Sequence, residues 1–202
     1  MNDYDVLDDE PEILEAYCVR CKETHEIENP QAVWTRRGMP ATRGECSNCG
    51  GTVFRMGRTE AHDPNQRPEA VLVAGGKHGK LARETAYIAY AEGDEVMAQS
   101  IAADLEKVGI ASWLHEHDDS VQWAGGVHPA LEECGNLVVL LSPEALGSEA
   151  VEKTWRFFRD KRKPVLIAQA GAAEPPDPIR RSPRFDFTGD YKTAFRQLVQ
   201  AL

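Results

Sequence analysis

The sequence predicts an α/β protein: a five-stranded parallel sheet covered by helices, preceded by a small β ribbon pinned by four cysteines. Two observations carry this expectation. The first is a pair of Cys-x-x-Cys turns, Cys18-Val19-Arg20-Cys21 and Cys46-Ser47-Asn48-Cys49. Each turn sets two thiolates on one side, and together they supply the four soft ligands of a tetrahedral zinc site. The second is the alternation of short apolar runs with amphipathic segments from Thr85 onward. Strands and helices joined by short links make a parallel sheet covered on both faces.

The 202 residues suit one ordinary domain plus a small one, and 42% apolar content is enough for a core. No run approaches the roughly 18 to 20 apolar residues that span a bilayer, so no membrane partner is expected. The net charge of −10 is uneven: seven acids and no bases fall within Met1–Glu15. Residues 1–15 therefore read as an acidic, disordered tail.

The ribbon is expected over 16–57. Gly38-Met39-Pro40 and Gly50-Gly51 have turn chemistry, and Gln31 to Thr35 and Thr52 to Met56 read as strands. The 24 residues between the cysteine pairs require a long hairpin. So small a core needs metal, which supplies on the order of 10 kcal/mol of folding energy in structural zinc sites. Disulfides fit poorly, because the N-terminus has no signal-like apolar run, and catalytic Cys-x-x-Cys motifs come singly on βαβ units. Thiols held reduced point to the cytoplasm. Seven Lys/Arg against five Asp/Glu between Ala16 and Glu60 leave nucleic acid open as a partner of the ribbon. The acidic chain as a whole argues against strong phosphate binding.

Residues 58–84 read as a linker rich in turn formers and charges, with Ala70 to Ala74 as an apolar stretch lacking a hairpin partner. The domain over 85–202 opens with a strand, Ala86 to Tyr90. Val96, Ile101, Leu105 and Val108 suggest a helix ending at Gly109. Ile110 to Leu114 is the second strand, followed by a polar loop, His115 to Gly126. A helix over Val127 to Cys134 leads to the buried strand Leu137 to Leu141. Ser142-Pro143-Glu144 begins a capped turn, and Ser148 caps a helix through Asp160 with Val151, Trp155 and Phe158 on one face. Pro164 to Ala168 and Phe185 to Phe187 complete the strands, and Tyr191 to Leu202 closes as a helix. Ligands on such sheets sit at the carboxyl ends of the strands.

Tyr87-Ile88-Ala89-Tyr90-Ala91-Glu92-Gly93-Asp94 resembles the opening of Toll/interleukin-1 receptor (TIR) domains. The resemblance continues in order through Trp113-Leu114, Trp123, Ala130 to Cys134, Val138 to Pro143, Ser148, Trp155, Lys163-Pro164-Val165 and Asp186-Phe187. It implies a flavodoxin-like five-stranded parallel sheet. The ribbon is similar to a small family of microbial zinc-ribbon modules, found alone or appended to larger proteins, some of them DNA-acting.

The TIR resemblance implies one of two activities. Scaffold TIR domains associate with one another through the loop after the second strand. Enzymatic ones cleave the nicotinamide–ribose bond of NAD⁺ with a glutamate on the helix after the third strand, in a pattern like S-x-W-V-x-x-E. On this chain, Ser148-Glu149-Ala150-Val151-Glu152-Lys153-Thr154 sets Thr154 where that glutamate would stand. A hydroxyl supplies no negative charge for an oxocarbenium-like centre. Glu152 lies about 200° around the helix from Thr154 and substitutes only if the register shifts by two.

The resemblance makes Tyr90, Ala91, Glu92, Trp123 and Ser148 candidates for a nucleotide pocket, and Glu116, His117, Asp118 and Asp119 the interaction loop. The same histidines and carboxylates, read by chemistry, also suit a metal or pH-sensitive site. Cys134 reads as an inert buried thiol, His128 as a surface residue, and the basic run Arg159 to Lys163 as a complement to a helix dipole. The expected function is signalling by association with other TIR domains, self-association included, with the ribbon as a recognition module. NAD⁺ hydrolysis or cyclisation in a microbial defence or stress pathway is the alternative, and nucleic-acid binding by the ribbon a third.

Overall fold

The computed structural model describes residues 13–63, 65–71, 85–115 and 121–202. Most of the acidic tail, most of the expected linker and the loop residues 116–120 lie outside the described residues. The chain divides into two compact units, residues 1–69 with 121–124, and 70–120 with 125–202.

The first unit is an antiparallel ribbon of four strands, β1 (Glu15–Cys18), β2 (Glu23–Trp34), β3 (Pro40–Cys46) and β4 (Thr52–Met56), paired in that order. β2 is far longer than the expected strand over 31–35, because one strand serves two hairpins. Glu23 to Glu26 pair with β1, and β3 takes over from Ile27, its register shifting between Glu28 and Gln31 where Asn29 takes φ 51°. Gly44 sits opposite that kink, where a Cβ would strike the Ile27 side chain and come within 2.5 Å of the Glu28 carbonyl oxygen. Ala16, Cys18, Ile27, Cys46 and Val53 form the small core.

This unit continues past the boundary read at Gly57. His62 is buried on the ribbon: Nδ1 accepts from the Thr59 amide at 3.1 Å, and Nε2 lies 2.9 Å from the Ala41 carbonyl oxygen. Residues 121–124 also belong here. The Trp34 amide donates to Gln122 O at 2.7 Å, and the Ala124 amide donates to Trp34 O at 2.8 Å.

The second unit is a five-stranded parallel sheet in the order β6-β5-β7-β8-β9. Its strands are β5 (Ala86–Ala89), β6 (Ser112–Leu114), β7 (Asn136–Leu141), β8 (Val165–Gln169) and β9 (Arg184–Asp186). Its helices are α1 (Glu95–Lys107), α2 (Pro129–Glu133), α3 (Pro143–Gly147), α4 (Glu149–Asp160) and α5 (Tyr191–Ala201). This is the flavodoxin-like order that the sequence predicts. Alternate strand residues face opposite ways. Ala86, Ile88, Val138, Leu140, Leu166 and Ala168 share one core with Ile101 and Leu105 of α1 and Leu198 of α5. Tyr87 meets Phe158 of α4 at a ring separation of 6.2 Å.

Local chemistry sets the helix ends. The side chains of Ser142, Ser148 and Asp190 accept backbone N–H bonds that start α3, α4 and α5. α1 closes on Gly109 at φ 83°, with Gly109 N–H on Glu106 O and Ile110 N–H on Leu105 O. That last bond is why β6 begins at Ser112 and not at Ile110. Two of the four residues that suggest this helix lie off its core: Val96 is 78% exposed and Val108 53%, while Ala98, Ile101 and Leu105 are buried. Five residues at about 100° each put Val96 some 140° away from Ile101, off the core face.

Candidate functional site

The four-cysteine centre is built from two matching turns. In each, the residue after the second cysteine takes a left-handed conformation (Lys22 φ 61°, Gly50 φ 64°), and its amide donates to the first cysteine's carbonyl at 2.8 and 2.9 Å. The turns bring Cys18, Cys21, Cys46 and Cys49 together with all four sulfurs within 4.8 Å of one another. Cys18 and Cys49 Sγ stand 3.6 Å apart, and Cys21 and Cys46 Sγ 3.9 Å. A tetrahedral ion with ~2.3 Å metal–sulfur bonds needs sulfur separations of about 3.8 Å, so the donor set fits.

The polar surroundings suit thiolates unevenly. The Cys21 amide, first among several hydrogen bonds, pulls the Cys18 thiol down to about 6. At Cys21 the Asn48 side-chain amide, 3.4 Å from Sγ, favours the thiolate. The neighbouring Cys49 thiol and burial oppose it and push Cys21 up to about 12.

In the second unit, strand order reverses between β5 and β7, where parallel sheets take ligands in the crevice beyond the strand ends. Here the chain's own side chains bridge that crevice. Ser142 Oγ donates to Asp94 Oδ2 at 2.5 Å while accepting the Ala145 amide, and the Gly93 amide donates to Glu144 Oε1 at 3.3 Å. A Cβ on Gly93 would meet the Glu144 carboxylate and push that side chain aside. Tyr90 is 5% exposed and packed in the core, Ala91 is buried, Glu92 is exposed, and the Ser148 hydroxyl accepts from the Val151 amide. Trp123 is bridged to Trp34 in the first unit. Gln122 and Ala124 bond there through their backbones.

On α4, Thr154 is 2% exposed, and its hydroxyl donates to Ala150 O at 2.8 Å. Glu152 pairs with Arg156 at 2.6 Å, and Glu149 pairs with Lys153 at 2.9 Å. Glu152 also lines a cavity of about 170 Å³ whose walls include Val139, Leu141, Val151, Trp155 and Ile179. Tyr87 Oη and His115 Nδ1 lie 2.8 Å apart, both buried. Cys134 is buried with its thiol pushed up to about 12, and Lys163 Nζ donates to the carbonyl oxygens of Leu131, Glu132 and Cys134. These observations suit an inert Cys134. They also give Lys163 a structural task, closing the end of α2.

The TIR domain family model matches residues 87–199, more than half of the chain. The chain belongs to the TIR domain family. A second model, a domain of unknown function (DUF5679), matches residues 17–56 and takes in all four cysteines. Among solved structures, the chain is similar to the TIR domain of the Toll-related receptor TRR-2 from the lower metazoan Hydra magnipapillata. The two share 20% identity over 57% of this chain and 95% of that one, with a TM-score of 0.49. No curated protein matches.

In this TIR domain, the Asp94–Ser142 and Gly93–Glu144 links were the functional-edge contacts that sequence reasoning missed. Their local signals are plain: a glycine between acids after β5, and Ser-Pro-Glu after β7. Only the adjacency of β5 and β7 joins them. The interaction-loop candidates Glu116, His117, Asp118 and Asp119 lie outside the described residues. Among those described, no helix is long and apolar enough to cross a membrane.

Proposed function

We propose that this chain is a signalling and interaction protein of the cytoplasm whose TIR domain associates with other TIR domains, copies of itself included. Its ribbon, folded around a zinc ion held by Cys18, Cys21, Cys46 and Cys49, acts as a recognition module. TIR domains serve signalling and interaction at the family level, and typically associate with other TIR domains. The observation that carries the non-catalytic reading is Thr154. Where NAD⁺-cleaving relatives hold a glutamate, this chain has a buried hydroxyl satisfied by its own helix. Asp94 and Glu144 at the crevice add weight, since carboxylates bridging a switch point disfavour a pyrophosphate. Sedimentation of the full chain over a wide concentration range tests the reading. Concentration-dependent association is expected, and a strictly monomeric chain would oppose it.

One observation favours the rival, NAD⁺ hydrolysis or cyclisation: Glu152 lines a cavity beside Trp155. Nucleic-acid binding by the ribbon draws support from exposed Tyr17 and Phe54, side chains on which bases could stack.

A further inference from the structure

Val96 is the most exposed large apolar side chain described in the second unit, at 78%. It sits in the first turn of α1, which begins at Glu95, and Glu92 and Glu95 beside it are exposed. Asp94 adds a third carboxylate, and among residues 92–106 there is no lysine or arginine. A branched aliphatic side chain therefore projects from an acidic helix end. That helix end has no packing use for it, because α1 buries its opposite face.

The same unit carries a complementary feature. The cavity of about 170 Å³ on α4 is walled by Val151, Trp155, Pro176 and Pro178. Its volume is several times the ~30 Å³ share of a water molecule, enough for a side chain. Glu152 and Arg156 are its charged members. Arg156 is held in place twice, by the Glu152 carboxylate at 2.6 Å and by the Trp155 ring with its centroid 5.5 Å away. Along residues 152–162 five cations, Arg159, Lys161 and Arg162 among them, stand against Glu152 and Asp160, so this segment is net positive.

We infer that the cavity beside Trp155 receives Val96 from a second copy of this chain, with Arg156 facing Glu95 of the incoming α1 and Glu92 just before it. The inference rests on the association reading above and specifies its contact. Knob and socket are different surfaces, so the contact is heterologous, and each copy can give one and receive one. Opposite charges at the rim set orientation, and the aliphatic side chain in an aromatic-walled cavity supplies the anchor.

The test uses the full chain and two exposed substitutions. Val96→Asp removes the knob and leaves the socket, whereas Arg156→Glu reverses the socket's charge and leaves the knob. Each variant alone should self-associate roughly tenfold or more weakly than the unaltered chain by sedimentation velocity. Mixed one to one, they should form a heterodimer, since one working knob and one working socket remain. If the unaltered chain associates and both variants match it, this contact is wrong while the association reading stands. Weakened variants whose mixture yields no heterodimer also overturn the contact. A monomeric unaltered chain would remove the contact and the reading together.

Discussion

The ribbon and the parallel sheet are held together by different means. One small cluster of the ribbon comprises Ala16, Cys18, Ile27, Cys46 and Val53, and two of these five belong to the four-cysteine centre. One core of the sheet unit alone gathers fourteen buried residues from strands, α1 and α5. A core as small as the first does little to offset the conformational entropy of ordering four strands, and in the reading proposed above the ion at the four-cysteine centre supplies the rest. The larger unit stands on apolar burial.

The largest expected effect comes from the metal. Chelation, or Cys46→Ser, should unfold β1–β4, with a loss on the order of 10 kcal/mol of folding energy. Hydrogen exchange should show ribbon amides losing protection while β5, β7 and β8 keep theirs. Protected ribbon amides in excess chelator would break the contrast. Next is Ile101→Ala, which empties a fully buried site in the sheet unit. It should cost about 2–5 kcal/mol in denaturant unfolding of that unit and leave the bound metal per chain unchanged. Metal loss in this variant would mean that the two regions fold as one. Smallest is Ser142→Ala, which deletes the α3 cap and the bond to Asp94. A loss of about 1 kcal/mol is expected. A much larger one would show that the bridged crevice matters more to the sheet than a cap does.

Much of this was legible in the sequence for identifiable reasons. The cysteine pairs state their own chemistry, and Ser148 ahead of Val151, Trp155 and Phe158 announces α4 by cap and period. The core strand Leu137–Leu141 shows as an unbroken apolar run because both its faces are covered. What was hidden depends on partners distant in sequence. The double use of β2 depends on β1 and β3 each pairing with part of it, and the kink at Asn29 falls within the β3 pairing. His62 is defined by carbonyls of β2 and β3, and Trp123 by backbone bonds to Trp34. Val96 is apolar yet exposed, because its helical phase sets it off the core face.

NAD⁺ turnover by the full chain, at concentrations where it associates, tests most directly whether this TIR domain acts by contact or by chemistry. With Thr154 in place of a glutamate, we expect nicotinamide release no greater than in a protein-free control. Robust release that disappears in Glu152→Ala would contradict the non-catalytic reading and assign the cavity beside Trp155 to the nucleotide.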